Sequence, residues 1–297
     1  MDRIALSPDV SLSRIVYGMW RLADDADHSA AHIQAKVEAC LAQGVTSMDH
    51  ADIYGGYTAE GLFGRMLKDA PQLRGQIEII TKCDIVAPVG RHNNVRCKHY
   101  DTSAPHIERS VEFSLKELSV ETIDLLLIHR PDPLMDHHET GAALDRIVAS
   151  GKVRSVGVSN FWPHDFSLLQ SAMKTRLATN QIELSLLASD GFTDGQVAYL
   201  QEHKVPIMAW SPLGGGRLFS EQNFAIAARL TEIGQAYDVD ASAVAVAWLL
   251  YHPARILPVM GTNSPQRIAH LTDALKVKMD RQSWFELYQL AMGRDIP

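Results

Sequence analysis

Four residues of this chain, Asp49, Tyr54, Lys82 and His129, have the types and spacing needed to deliver a proton to a carbonyl oxygen. Asp49 and Tyr54 lie five apart in SMDHADIYGGY, Lys82 closes the run EIITK, and His129 follows the apolar residues of IDLLLIHRP. A phenol titrates near pH ~10 and is a poor acid at neutrality unless its surroundings help it. A neighbouring ammonium stabilises phenolate and is expected to lower the Tyr54 value, while a carboxylate keeps that ammonium charged and oriented. An imidazole beside them can donate a hydrogen bond to developing alkoxide. Singly, each residue has an ordinary explanation as a turn, cap or packing residue. Their joint placement on one face is what favours catalysis.

That placement follows from the elements. Short apolar, β-branched runs recur at Ile15–Tyr17, Val45–Met48, Ile77–Ile80, Ile123–Ile128, Val153–Val158, Ala178–Ile182, Val205–Ala209 and Ile256–Val259. Between them, helical periodicity marks His28–Ala42, Ser103–Leu118, Glu139–Ser150, Pro163–Met173 and Gly191–His203. Strands alternating with helices pair in parallel through right-handed crossovers. Eight such units in 297 residues predict an α/β fold, a (β/α)8 TIM barrel forming one domain over 1–297. A doubly wound dinucleotide fold needs GxGxxG after its first strand, and the chain has none. Polar residues follow run after run: Asp49, Lys82, His129, Ser159 with Asn160, Gln181, then Trp210 with Ser211. In a barrel, strand C-termini open onto the face that carries the active site.

Composition narrows the class. Apolar residues make up 46% and charged residues 21%, which suits a globular enzyme with a large core. A net charge of −7 argues against a nucleic-acid partner and requires local cations around any anionic cofactor. Cys40, Cys83 and Cys97 form no CxxC pair, which fits a reducing compartment without a disulfide framework. The opening MDRIALSPDV has no signal-peptide run, and the apolar stretch Ala241–Tyr251 is about half a bilayer span. The expected location is the cytoplasm, with a small carbonyl substrate and no membrane partner. Nothing in the sequence specifies an oligomeric state.

Secondary features sharpen the picture. Gly214, Gly215 and Gly216, followed by Arg217, suit a loop clamping a cofactor phosphate. Residues 89–100, with Arg91, His92, Arg96, Lys98 and His99, read as an irregular loop, either a substrate lid or a solvated surface loop. Trp20 is expected to wall the pocket, with Phe161 and Trp162 either pocket or packing residues. The pairs His50 with Asp52 and His137 with His138 lack a third ligand at suitable spacing, so no metal is expected.

The motifs MDHADIYG, ITK, DLLLIHRPD, GKVRSVGVSNF, NQIELS, AWSPLGGG and GTNSPQR occur in that order, after GMW at 18–20. In order and spacing the chain resembles the aldo-keto reductase superfamily, and RCKHYDTS with HRPDPLM resembles a bacterial subgroup of generic oxidoreductases. The resemblance implies a barrel that binds NADPH without a Rossmann domain and reduces aldehydes or ketones, with Asp49, Tyr54, Lys82 and His129 as catalytic tetrad. An NADPH-binding redox sensor with little turnover is the alternative, disfavoured by the complete tetrad. Implied cofactor contacts are Met19 and Trp20, then Ser159, Asn160 and Gln181 at the nicotinamide carboxamide, with Trp210 stacking on its ring. Ser211, Pro212, Leu213, Gly214, Gly216 and Arg217 match the pyrophosphate loop, and Gly261, Thr262, Asn263 and Arg267 the adenosine 2′-phosphate region. Strictly NADPH-dependent members carry a lysine just before the Thr262 position and an asparagine at Leu271, so NADH is expected to bind too, with lower affinity.

Overall fold

The structure, a computed structural model, describes residues 1–296. Its strands in chain order are β1 (Arg3–Ala5), β2 (Ser11–Ser13), β3 (Val16–Gly18), β4 (Ser47–Asp49), β5 (Glu78–Cys83), β6 (Ile85–Val86), β7 (His99–Tyr100), β8 (Ile123–Ile128), β9 (Val153–Ser159), β10 (Asn180–Glu183), β11 (Ile207–Trp210) and β12 (Leu257–Met260). β3, β4, β5, β8, β9, β10, β11 and β12 pair in parallel and close into an eight-stranded barrel in chain order. The (β/α)8 expectation is correct.

Apolar residues fill the barrel because parallel strands are covered on both faces. Val16, Ile80, Leu125, Leu127, Met208 and Leu257 form an interior layer with Ile4, Val10 and Leu12. The last three belong to the hairpin β1–β2, which packs against that layer and was not foreseen from the sequence. Outside, helices bury their inner faces on the strands, as with Ile107 and Val111 of the helix Ala104–Leu118. Helix starts are set by side-chain caps: Ser29 accepts from His32 N–H, Asp136 from His138 and Glu139, and Asp240 from Ala243.

Three expectations need correction. The segment Gly191–His203 is not one helix but a turn at Asp190–Phe192 and a helix at Gln196–Glu202. Asp194 accepts from the Gln196 N–H at 2.8 Å and so starts a new helix instead of continuing the old. Several strands also begin and end one or two residues later than the apolar runs. Asp49 and Trp210 are therefore the last residues of β4 and β11, in register with Gly18 and Glu183. Lys82 lies inside β5 opposite Leu127. The segment 89–100 is more ordered than an irregular loop, with a turn at Gly90–His92 and β7 paired antiparallel to β6.

Candidate active site

The barrel mouth gathers Asp49, Tyr54, Lys82 and His129 from four neighbouring segments. Lys82 is fully buried, and its Nζ donates to Asp49 Oδ2 at 2.7 Å, to the His50 carbonyl at 2.7 Å and to Tyr54 Oη at 3.0 Å. All three ammonium donors are thereby used. Asp49 Oδ1 accepts from Gln181 Nε2 at 2.9 Å, which ties the opposite wall of the barrel to the same carboxylate. Tyr54 opens the short turn Tyr54–Tyr57 after β4, and its ring centroid lies 6.0 Å from that of His129, nearly edge-on. The four groups expected together are together.

Their electrostatics differ from the simple expectation in one respect. Burial pushes the Tyr54 phenol up, and the Lys82 ammonium, which pulls it down, offsets only part of that. Burial likewise works against the Lys82 ammonium, but Asp49 and Tyr54 outweigh it, and the net direction is upward. The phenol thus stays protonated through neutrality, held against an ammonium that stays charged. Burial, reinforced by Lys82, Arg130 and Lys98, drives His129 well below the usual imidazole range, so it is neutral. A neutral imidazole offers one N–H as a donor and does not compete with the phenol as an acid.

Residues expected at the cofactor form a second cluster beside the first. Ser159 Oγ donates to the Gln181 carbonyl at 2.9 Å, Asn160 Nδ2 donates to Ser159 Oγ at 2.8 Å, and Trp210 Nε1 donates to Asn160 Oδ1 at 2.9 Å. Asn160 and Ser211 both hold left-handed backbone, with φ of 61° and 51°. Such strain costs of order 1 kcal/mol and concentrates at functional sites. Met19 is buried and donates its N–H to the Asp49 carbonyl at 2.8 Å. Trp20 stands 57% exposed with the Arg21 guanidinium over its ring, while Phe161 is fully buried and is a packing residue. Trp162 lies on the surface.

The glycine loop after Pro212 and Leu213 has φ of 58°, 66° and 96° at Gly214, Gly215 and Gly216, which only glycine adopts without strain. No side chain lies within 4 Å of a Cβ built at Gly215 or Gly216, so this loop borders open space. Gly214 and Gly216 spend their N–H groups on Ser211 and Leu213 carbonyls, and Arg217 donates to the Gly214 carbonyl. Further round the rim, Gly261 is exposed, the Thr262 carbonyl accepts from Tyr17, and Arg267 is exposed in the turn Pro265–Ile268. Arg267 forms no ion pair among the described residues. Asn263 is engaged on both sides, accepting from Lys36 Nζ at 3.1 Å and donating to the Arg21 carbonyl at 2.6 Å.

Two contributors and one pairing escaped the sequence reading. Lys36, buried on the helix Ala30–Leu41, brings a cation to Asn263 and pairs with Asp25. Arg130 sets its guanidinium 6.0 Å from the Trp210 ring, a position hinted at by its adjacency to His129. Arg91 pairs with Asp52 from 39 residues away, a contact that no local pattern marks. Among the described residues no three His, Cys, Asp or Glu side chains converge as a ligand set. His50 is fully buried against Phe63, and its titration is driven down to about 3 by burial and then by Lys82. No helix among the described residues is long and apolar enough to cross a membrane. A cavity of about 550 Å³ lies at the opposite end of the barrel, between residues 5–9 and Arg154 and Arg176, and none of the four clustered residues lines it.

Comparison with known proteins agrees with this arrangement. The chain is 66% identical over 296 residues to a 6-dehydroglucose reductase of Agrobacterium fabrum (strain C58), covering 100% of both chains. It is 39% identical to a 6-dehydroglucose reductase of Novosphingobium aromaticivorans, covering 97% of this chain and 94% of that one. Its fold superposes on a thermostable aldo-keto reductase, Tm1743, solved with the inhibitor epalrestat, at a TM-score of 0.81 and 25% identity over 98% of this chain and all of that one. The sequence profile of the aldo/keto reductase family matches residues 14–291. This chain is an oxidoreductase of the aldo/keto reductase family.

Proposed function

We propose that the protein is an NADPH-dependent reductase of aldehydes, and that its substrate is a sugar aldehyde of the 6-dehydroglucose type, reduced at C6 to the primary alcohol. The observation that carries this reading is the Lys82 ammonium bonded at once to Asp49 and to the Tyr54 hydroxyl in the barrel mouth. Two relatives named 6-dehydroglucose reductase, at 66% and 39% identity over nearly the whole chain, support the substrate class.

NADPH, when bound, supplies the hydride that the carbonyl carbon accepts. The remaining work falls to the chain. The Tyr54 hydroxyl gives its proton to the carbonyl oxygen as that oxygen gains charge, and Lys82 stabilises the phenolate left behind. Asp49 keeps Lys82 charged and aimed. The neutral His129 N–H donates to the carbonyl oxygen, which orients the substrate and spreads the developing charge. Asn160, Gln181 and Ser159 offer amide and hydroxyl groups suited to a carboxamide, Trp210 a flat apolar face, and the 214–217 loop with Arg267 the groups for phosphates.

The direct test follows NADPH absorbance at 340 nm with 6-dehydroglucose and a panel of other aldehydes and ketones. Oxidation of NADPH only in the presence of a carbonyl substrate supports the reading, and none with any of them overturns it. NADH is expected to serve less well.

Two cofactor predictions belong here. Trp210→Ala removes an aromatic face worth about 0.5–1.5 kcal/mol, so NADPH should bind roughly two- to tenfold more weakly and hydride transfer should slow. The variant also frees Asn160 Oδ1 from its indole donor. Titration of tryptophan emission with NADPH measures the change, and equal affinity in both proteins would refute stacking. Arg267→Ala should weaken NADPH by roughly ten- to a hundredfold, since a charged hydrogen bond contributes about 1.5–3 kcal/mol. NADH, which has no 2′-phosphate, should be affected far less. Dissociation constants for both cofactors at one salt concentration decide it: a parallel loss removes Arg267 as the phosphate reader.

A further inference from the structure

The segment after β5 is fastened to the turn that carries Tyr54. Arg91, in the turn Gly90–His92, has a side chain only 17% exposed. Its Nη2 donates to Asp52 Oδ2 at 2.8 Å, and the Asp52 side chain is 1% exposed. The guanidinium carbon lies 4.7 Å from the Tyr57 ring centroid and 3.9 Å from that of Phe113. Gly90 has φ of 54°, and a Cβ there would come within 2.4 Å of the Gly56 carbonyl oxygen, so the two backbones are in direct contact. The Tyr57 hydroxyl donates to the Ile85 carbonyl at 2.9 Å and accepts from the Ala87 N–H at 3.0 Å. Asp52 in turn donates its own N–H to the Lys82 carbonyl at 3.0 Å.

These contacts join three things that chemistry needs in one frame: the proton donor, the strand that holds its ammonium, and the loop that leaves β5 at the mouth. A surface loop does not require a buried arginine to stay folded. Burying such a pair rarely yields net stability: burial raises the Asp52 carboxyl to about 8, and among the described residues Arg91 Nη1 and Asp52 Oδ1 have no partner. A buried pair held by a directional hydrogen bond between two packed rings can select one geometry. We propose that Arg91 is a positioning residue: clamped between Asp52 and the rings of Tyr57 and Phe113, it locks the 85–100 segment against the Tyr54 turn and so fixes the proton donor relative to the substrate wall. This rests on the reading of Tyr54 as proton donor. Misplacement of a reacting group by about 1 Å can cost a hundredfold in rate, so a clamp of this kind has a measurable effect.

The test compares wild type with Arg91→Met, which keeps the stem and deletes the guanidinium, with Arg91→Lys, and with Arg91→Met/Asp52→Asn, which removes the guanidinium and the carboxyl together. Hydrogen exchange of the peptides covering 54–58 and 85–100 is read without substrate, alongside NADPH affinity, kcat and KM. In Arg91→Met both peptides should exchange about tenfold faster or more, and kcat/KM should fall about ten- to a hundredfold while NADPH affinity holds within about twofold. Arg91→Lys should recover part of the loss. The double variant, which removes both partners of the pair, should show the same coupled loss even if Arg91→Met folds poorly. Faster exchange confined to 85–100 with unchanged kcat/KM would overturn the clamp, as would a parallel loss of NADPH affinity. The exchange readout needs no turnover, so a wild type that reduces no carbonyl would refute the proposed activity without deciding the clamp's coupling of the two segments, which the exchange data decide alone.

Discussion

Tyr54→Phe should lower turnover on a good aldehyde by about a hundredfold or more while leaving the fold and NADPH affinity intact. A positioned general acid contributes roughly 10²–10⁴ in rate, and the substitution removes only that oxygen. Among the described residues the Tyr54 hydroxyl has one hydrogen-bond partner, Lys82, and Lys82 keeps Asp49 and the His50 carbonyl when the hydroxyl is gone. The ring that packs near His129 is retained, so neither a cavity nor an unpaired buried charge results. Because the lost interaction matters as the proton moves, kcat and kcat/KM should fall together with KM little changed. Burial raises the Tyr54 phenol above its ordinary value, so it is protonated across the neutral range and the deficit should persist at every pH between about 6 and 8. Steady-state kinetics with a fluorescence titration of NADPH measure both halves. Wild-type turnover in Tyr54→Phe would remove Tyr54 as the proton donor.

The barrel was legible in the sequence because parallel strands covered on both faces read as unbroken apolar runs, and because the polar residues at their ends stand out against those runs. Asp49, Lys82, His129 and Gln181 were found in this way. The later boundaries of β4 and β11 arise for the same reason: ladder hydrogen bonds continue into polar residues that apolar patterning leaves outside. β1, β2 and β7 were not legible, since polar residues interrupt them, and β6 is only two residues long. Cross-barrel bonds were also hidden. Gln181 reaches Asp49 across 132 residues and Trp210 reaches Asn160 across 50, and no local pattern encodes such partners. The direction of the Tyr54 shift was missed because sequence reveals a neighbouring charge but not the depth of burial that outweighs it. The Arg91–Asp52 pair was hidden because Arg91 was read only as part of the 89–100 loop and Asp52 was weighed only with His50, 39 residues away from the arginine that meets it.

Lys82→Met should have the second large effect, through charge instead of through the proton itself. Methionine preserves most of the stem volume and deletes the ammonium, which supplies bonds to Asp49, the His50 carbonyl and Tyr54. Lys82 pulls the phenol down against the upward push of burial. Without it, the phenol rises further and becomes a weaker acid, so the rate of reduction should fall by about a hundredfold at neutral pH. The sign of the pH effect follows. In wild type, reduction should decline at alkaline pH as Tyr54, the proposed donor, ionises; in Lys82→Met it should ionise later, so that decline should move to higher pH while the plateau lies lower. Asp49, with a side chain 3% exposed, is left as a buried carboxylate without its cation, and removing one partner of a buried pair costs about 3–5 kcal/mol. Lys82→Met/Asp49→Asn separates the two consequences. Deleting both charges should restore much of the lost thermal stability, yet leave activity low and the alkaline decline still displaced, because the phenol still lacks its cation. If the double variant regains activity along with stability, or if the pH profile of Lys82→Met coincides with that of wild type, Lys82 acts as a structural counter-ion to Asp49 and not on the proton donor.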